Sequence, residues 1–363
     1  MAEVTVTAAM VKQLRELTGA GVLNCKKALV ECNGDMDAAV EVLRKKGEAT
    51  AVKKANRIAA EGIVKVAVKD NTAVIVEVNS ETDFVAKNEK FQNFVGDVVE
   101  QLYTSDATTV DELNGEQWKA DPTKTVREAV VNMIATIGEN ITLRRFATIK
   151  SDNVVVSYTH GGGRIGVLVE AEAENKAAAE EALKNVAMQI AAMNPQYISR
   201  DNMSAEEVAK LKEITIESSL NTPESLPKPI LTGLLAKAEA SVWSAEDVAI
   251  YQEQKNNLQY LFNFLSKEAK AQVAELAMQD KEAICENKIF SGAVEGRVAK
   301  QLKEICLLDQ TYVKAEDGKQ SVAKYLESVD KSMKITKMIR FEVGEGIEKK
   351  QENFAEEVAK QMQ

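Results

Sequence analysis

The chain of 363 residues contains one histidine, His160. Catalysis of the Ser-His-Asp or Cys-His kind would have to run through that imidazole, and a multi-histidine metal site within one chain is excluded. Four cysteines, Cys25, Cys32, Cys285 and Cys306, are scattered without a C-x-x-C pair, the pattern of buried or incidental reduced thiols in a cytosolic protein. Apolar runs are a few residues long, far short of the roughly 20 needed to span a bilayer. The opening Met1-Ala2-Glu3-Val4-Thr5 has neither the basic nor the apolar region of an export signal, so a cytoplasmic protein without a membrane partner is expected. No G-x-x-x-x-G-K-[ST] occurs, hence no P-loop. Basic residues are in deficit, 46 Lys+Arg against 56 Asp+Glu, for a formal charge of −10. Nucleic-acid binders usually present a net basic face, so direct nucleic-acid contact is not expected despite a local patch at Lys53, Lys54 and Arg57.

What is present suits two or three globular domains: 45% hydrophobic and 28% charged residues. Residues 1 to about 50 read as three short helices. Thr7 is the first N-cap, Thr18-Gly19-Ala20-Gly21 the first break, Asn33-Gly34-Asp35 the second, and Gly47 the stop of the third. Glu48 to Glu61 then reads as a solvated helical linker. From Gly62 the period becomes two, with Val64, Val66 and Val68 alternating with lysines, a turn at Asp70-Asn71, and a second strand over 73–78. A helix with an apolar stripe at Phe91, Phe94, Val95, Val98, Val99 and Leu102 follows. A polar helical interval to Gly138 and a strand from Ile141 to Ala147 complete the unit.

The order then recurs: strand 154–158, a turn at His160-Gly161-Gly162-Gly163, strand 165–169, and a helix marked by Leu183, Val186, Ala187, Ile190 and Met193. The closing strand comes much later, over Ile335–Val343. This is an internal duplication of a β-β-α-β unit in an α+β protein, with Arg145-Phe146 and Arg340-Phe341 at comparable points of the two closing strands. Into the second copy is set a long helical interval, about Ser204 to Leu308, opened by a Ser204/Glu207 capping box. It carries Trp243, Tyr251, Tyr260, Phe262 and Phe264, aromatics expected mainly in its core, and it suits an antiparallel helical hairpin with extra helices at the tip. Residues 351–363 read as a short C-terminal helix.

The stretch around which the rest is organised is Ser80-Glu81-Thr82-Asp83-Phe84-Val85-Ala86-Lys87-Asn88, a strand-to-helix corner of the kind that presents a loop to a partner. It has no glycine to cradle a phosphate. A plainer reading makes Asp83 a first-turn helix charge and Phe84 a core residue. Asp83 alone is too little for a metal site. The glycines after His160 would need a G-x-S-x-G and a second histidine to act as an oxyanion hole, and neither exists. They read as a hairpin turn, with His160 either a plain hairpin residue or an exposed contact at its tip. Gly344-Glu345-Gly346 reads as a turn into the last helix. With no second base, metal cluster or cofactor fingerprint, neither an enzyme nor a cofactor is expected. A helical adaptor or chaperone is the rival class, suggested by the aromatics of the long insertion.

Three motifs taken in order resemble those of the bacterial elongation factor Ts family. They are Thr18-Gly19-Ala20-Gly21-Val22-Leu23-Asn24-Cys25-Lys26-Lys27-Ala28-Leu29, Glu81-Thr82-Asp83-Phe84-Val85-Ala86-Lys87, and Arg340-Phe341-Glu342-Val343-Gly344-Glu345-Gly346-Ile347-Glu348-Lys349. The strand pair from His160 to Val169 is similar too, whereas about Leu220 to Lys288 is longer than the helical hairpin common in the family. The resemblance implies a guanine-nucleotide exchange factor of elongation factor Tu that binds its GDP-bound and nucleotide-free forms and catalyses no covalent step. It implies a ubiquitin-associated-like three-helix module (1–54) and a core N-terminal subdomain (55–148). A core C-terminal subdomain (149–203 with 309–345), a coiled-coil helical insertion (204–308) and a C-terminal module (346–363) complete it. By the same resemblance, Thr82, Asp83, Phe84 and Val85 would enter the partner near its Mg²⁺ site, with Phe84 as the inserted ring. Val22, Leu23 and Lys26 would touch its nucleotide-binding domain, and His160 would lie on a second contact surface.

Overall fold

Three helices, α1 (Ala8–Thr18), α2 (Val22–Glu31) and α3 (Met36–Lys54), open the computed structural model, which describes residues 6–348. Thr7 caps α1 by accepting the Met10 N–H at 3.3 Å, and Asp35 caps α3 through the Ala38 N–H at 2.9 Å. Their apolar faces meet in a small core of Leu14, Cys25, Ala28, Leu29 and Ala39. There follow β1 (Glu61–Lys69), β2 (Thr72–Ser80), the single turn α4 (Asp83–Ala86), α5 (Glu89–Leu102), α6 (Val110–Gly115), α7 (Val126–Ile137) and β3 (Thr142–Lys150). The expected stop at Gly47 does not occur: α3 runs through it to Lys54, so the first part of the expected helical linker is helix, as expected, but continuous with α3. An interior glycine costs about 1 kcal/mol relative to alanine. Gly47 is buried where α3 crosses α7, with Val131 and Ala135 3.6 and 3.7 Å from the place a Cβ would occupy. Those are ordinary contact distances, so the packing would admit an alanine, and the glycine is carried within the helix without ending it.

The first sheet is antiparallel in the order β1-β2-β3. Its central strand is buried on both faces, so alternation sorts its side chains between two cores. Val74, Val76 and Val78 meet the stripe of α5 (Phe91, Phe94, Val95, Val98, Val99, Leu102) together with Val126, Ala129 and Ile134 of α7. Ala73 and Ile75 face the other way, with Val64 and Ile149, toward Leu168 of a second sheet and Val343 in the turn after its last strand.

That second sheet begins with β4 (Val154–His160) and β5 (Ile165–Glu172), followed by α8 (Lys176–Met193). The chain then passes through α9 (Ala205–Asn221), α10 (Lys228–Ser241), α11 (Ala245–Gln254), α12 (Leu258–Phe264), α13 (Lys267–Gln279), α14 (Lys281–Glu286) and α15 (Lys288–Ile305). It continues through α16 (Val322–Val329) to β6 (Lys334–Glu342), and the sheet order is β4-β5-β6, again antiparallel. Helix α8 buries Ala179, Ala182, Leu183, Val186, Ala187 and Ile190, whereas Met193, at its end, is exposed.

The two sheets are copies of one plan. Each closing strand starts opposite the end of the central one, Thr142 beside Asn79 and Lys334 beside Glu172, and each central strand shifts register after a buried glutamate, Glu77 or Glu170. Glu77 faces Arg145, and Glu170 faces Lys337. The expected equivalence of Arg145-Phe146 with Arg340-Phe341 is therefore wrong by three residues. An odd displacement changes the face of the sheet. Accordingly Arg340 reaches the Ala191 carbonyl on α8 at 3.4 Å, while Arg145 points into the space between the sheets and lies over the Phe341 ring at 4.2 Å.

Glu77 is fully buried between the sheets and its carboxylate is saturated. One oxygen accepts from the Gly344 amide at 2.8 Å, from Asn79 at 3.0 Å and from Arg144 at 3.0 Å; the other accepts from Arg145 Nε at 2.6 Å. The same arginines reach the last strand and its turn: Arg145 donates to the Glu342 carbonyl at 3.2 Å, and Arg144 to the carbonyl of Glu345. Gly344, at φ 72°, is required here, because an added Cβ would stand 2.2 Å from the Ala60 carbonyl oxygen.

The described residues fall into two compact units, one of residues up to Asn194 together with those from Lys324, the other Pro195–Ala323. In the second, α9 and α15 run antiparallel, with Thr215 bonded to Gln301 at 3.1 Å and Arg297 to Ser219. Helices α10 to α14 close a core over Leu220, Leu234, Leu235, Trp243, Tyr251, Leu261, Phe262 and Phe290. Trp243 donates its indole N–H to the Ala269 carbonyl at 3.1 Å. Tyr260 and Phe264, grouped with the core aromatics by pattern, are exposed instead. The expected helix over 351–363 lies outside the described residues.

Burial alone would raise the Glu77 pKa, but the Gly344 amide, Arg145, Asn79 and Arg144 outweigh it and hold the carboxyl below its usual range. Its contribution to stability is thus present above the unfolded value near ~4.3 and is lost as pH falls through the lower folded one. Glu77→Ala is expected to destabilise the protein by about 3 kcal/mol at pH 7, since it removes the buried carboxylate that Arg144 and Arg145 share and leaves them only their contacts with residues 342 and 345. Urea unfolding at pH 7 and pH 3 checks this; the difference between variant and parent should shrink at the lower pH.

Candidate functional site

At the end of β2 the backbone must turn from strand to helix within two residues, and side chains supply the bonds. The Ser80 hydroxyl donates to the Thr82 carbonyl at 2.9 Å, and Thr82 Oγ1 accepts the Val85 N–H at 3.4 Å as N-cap of α4. Asn88 then caps α5 by accepting from the Lys90 and Phe91 amides at 2.9 and 3.4 Å, and Gln92 donates back to the Ala86 carbonyl at 3.3 Å. A four-residue helix has paid the cost of nucleation with almost no propagation to offset it, so its shape depends on these outside partners.

Neighbouring residues on a helix point about 100° apart, and here they divide sharply. Val85 is buried in the core beneath α5, whereas Phe84 is 80% exposed, more than any other large hydrophobic side chain among the described residues. Phe84 as a core residue is overturned. Leaving a phenyl ring in water forgoes roughly 2 kcal/mol of burial, and the adjacent backbone is held at both ends. Asp83 is also exposed and pairs with Lys87 at 2.7 Å. The Lys87 ammonium, hydrogen-bonded to it, holds its carboxyl below the usual range. At full exposure such a pair adds little stability.

A further set of bonds braces the corner from 57 residues away. The Glu139 carboxylate accepts the Thr82 N–H at 3.0 Å on one oxygen and the Thr82 hydroxyl at 2.7 Å on the other. Reciprocally, Glu81 accepts the Asn140 N–H at 2.6 Å. Asn140 donates its amide to the Arg57 carbonyl at 2.8 Å, and Arg57 bonds Glu81 at 3.4 Å. Local pattern offers no sign of Glu139 or Asn140, since neither belongs to a run with the residues it holds.

The other predicted residues sit on separate elements. In α2, Cys25, Ala28 and Leu29 face the core, so Val22 (49% exposed), Leu23 (73%) and Lys26 lie on the face turned to solvent. His160 is the exposed last residue of β4, ahead of three glycines with φ between 60° and 98°. Its Nδ1 is 3.2 Å from the Tyr158 hydroxyl. The tip is pinned to the first sheet by the Val64 N–H, which donates to the Gly163 carbonyl at 2.7 Å. Thr159 and Gly162 line a groove with Lys65 and Gln92, the same Gln92 that bonds the end of α4. The hairpin tip and the α4 corner thus share one side of the first unit. The arrangement is one of projecting apolar contacts on braced backbone.

The family described as Elongation factor TS matches this chain over residues 81–262 and 262–345. Among similar proteins are the elongation factor Ts of Clostridioides difficile, 42% identical over 362 residues (98% of this chain, 99% of that one), and that of Halothermothrix orenii, 42% identical over 354 residues (97% of each). The elongation factor Ts of Clostridium perfringens is 44% identical over 364 residues, 98% of each chain. These alignments take in the long helical interval, so the insertion is shared with those relatives.

The division of the α4 side chains yields a stability contrast. Phe84→Ala should change unfolding free energy by less than about 0.5 kcal/mol, as for an exposed position, whereas Val85→Ala should cost about 2 kcal/mol for the lost methyl groups and the cavity they leave. Chemical denaturation of both variants measures it; a large loss in the first would mean that the ring packs on its own chain.

Proposed function

The chain belongs to the elongation factor Ts family, and from that we propose that it is a guanine-nucleotide exchange factor that binds elongation factor Tu and promotes GDP release in translation elongation. It acts in the cytoplasm on the GDP-bound and nucleotide-free partner, with no nucleic acid or membrane contact of its own. The observation that carries the reading is a phenyl ring, Phe84, held out in water on a turn that is fixed on both sides.

Exchange requires no bond chemistry. A GTPase holds GDP through backbone donors, a lysine and a Mg²⁺ ion that bridges phosphate oxygens. A protein that binds the nucleotide-free form more tightly must, by linkage, lower nucleotide affinity by the same factor. Phe84 is the wedge: rigid, apolar and with little conformational entropy to lose on insertion. Thr82, gripped by Glu139, and the buried Val85 shape the turn that delivers it rather than touching the partner, and Asp83 and Phe84 on its exposed side dislocate the segment that supports Mg²⁺ and phosphate. Packed elements have discrete arrangements, so a small intrusion is amplified into release. Val22, Leu23 and Lys26 on the exposed face of α2 dock the partner's nucleotide-binding domain, and His160 makes a second contact. In this reading α1–α3 form a ubiquitin-associated-like module, the duplicated sheets are core subdomains, and the α9/α15 pair is the base of the coiled-coil protrusion.

Release of fluorescent GDP from elongation factor Tu tests this. The protein should accelerate release at substoichiometric amounts. Phe84→Ala should slow stimulated release at least about tenfold, the scale of an aromatic hot spot, while much of complex formation survives. Val22→Ala combined with Leu23→Ala should instead raise the dissociation constant for the partner about tenfold. Unchanged release with the first variant removes the wedge, and unchanged affinity with the second removes α2 from the interface.

A further inference from the structure

We propose that Glu139 is a positioning residue for nucleotide exchange: acting through Thr82, it sets the orientation in which the α4 turn offers Phe84 to the partner. The proposal rests on the exchange reading above and adds a residue remote in sequence from the corner.

The geometry is specific. Thr82 is the N-cap of α4, so its amide has no partner within the helix. Glu139 takes that amide at 3.0 Å and the hydroxyl of the same residue at 2.7 Å, one carboxylate oxygen for each. Both bonds are charge-assisted, and a two-point grip fixes direction as well as distance. By fixing the hydroxyl proton, the grip also leaves a lone pair of Thr82 Oγ1 for the Val85 N–H. Glu139 is itself held in place. It follows Gly138, the left-handed C-cap of α7, whose carbonyl accepts from Lys54, and the next residue, Asn140, is bonded to Glu81 at 2.6 Å and to Arg57 at 2.8 Å.

Phe84 therefore lies between two anchors, Thr82 gripped by Glu139 and Val85 sunk in the core. The ring is too exposed to be oriented by packing on its own chain. Its direction must come from the backbone, and the backbone of a four-residue helix takes its direction from its cap. Loss of Glu139 would leave the ring present but free to swing, so binding survives while the fraction of encounters that expel nucleotide falls.

A brace that merely stabilised the fold would lower exchange whether or not Phe84 were present, whereas one that acts through Phe84 loses its effect when the ring is gone. The experiment is a double-mutant cycle of Glu139→Ala and Phe84→Ala in the full chain. Its readouts are the maximal fluorescent-GDP release rate at saturating factor, the dissociation constant for nucleotide-free elongation factor Tu, and the unfolding midpoint. Glu139→Ala alone should lower the maximal rate about fivefold and shift the dissociation constant less than about twofold, and in the Phe84→Ala background it should have no further effect on rate. Glu139→Gln can still accept the Thr82 N–H with its oxygen and donate its amide to the hydroxyl, but without charge assistance, so it should fall between, and it decides the matter should the alanine variant not fold. Rate losses that multiply in the double variant, or a lower midpoint with unchanged rate, overturn the positioning role. A parent protein that does not accelerate release overturns the exchange reading itself, and this proposal with it. A Phe84→Ala variant as fast as the parent overturns the wedge and this proposal while leaving the exchange reading standing.

Discussion

The buried carboxylate of Glu77 ties the two sheets of the first unit together. It lies at the register shift of the central strand, where the ladder loosens, and converts the irregularity into a junction. Its partners come from three places: Asn79 on its own strand, Arg144 and Arg145 on β3, and the amide of Gly344 from the turn after β6. A buried charge is tolerable only when it is fully bonded, so this turn and strand β3 must arrive together. The motif Arg340 to Gly346, at the far end of the chain, thereby closes a structure begun near residue 60. The second copy keeps the same device in weaker form, with Glu170 bonded to Asn153 at 3.2 Å and 3.9 Å from Lys337.

The projecting corner follows that junction on the same strand. Strand β2 ends at Ser80, three residues beyond Glu77, and the chain enters α4 directly. For a ring to enter another protein, as proposed for Phe84, preorganisation helps, since each freely rotating element ordered at an interface costs affinity. The fold supplies this with one turn of helix, a buried valine beneath it and a reciprocal pair of glutamate caps beside it. The three-helix module at the start of the chain and the helical interval within the second copy each have a core of their own.

Much of this was legible in the residues. The stripe of α5 predicted that helix and its buried face, because burial on one side enforces a period, and the valine-rich runs predicted strands β1 and β2, although β2 is buried on both faces and Val68 at the end of β1 is exposed. The order β-β-α-β twice over disclosed the duplication. Where pattern failed, tertiary structure had overridden a local rule. Gly47 looked like a helix stop and lies buried inside α3, packed against α7. Arg145-Phe146 and Arg340-Phe341 look alike and yet lie on opposite faces, since a short sequence match carries no information about register. Phe84 was ambiguous because one turn of helix is too short to show a period, and only the placement of Val85 in the core decides which neighbour points out. Glu139 was invisible, being joined to Thr82 by folding alone.

The central claim is that the ring at position 84 passes from water into the partner when nucleotide leaves. Phe84→Trp places a reporter there against two tryptophans, Trp118 and Trp243, that are already buried. On mixing with nucleotide-free elongation factor Tu, the indole introduced at position 84 should shift its emission to the blue and lose its accessibility to acrylamide, and excess GDP should reverse both changes. Quenching that is as efficient in the complex as in the free protein would contradict the account.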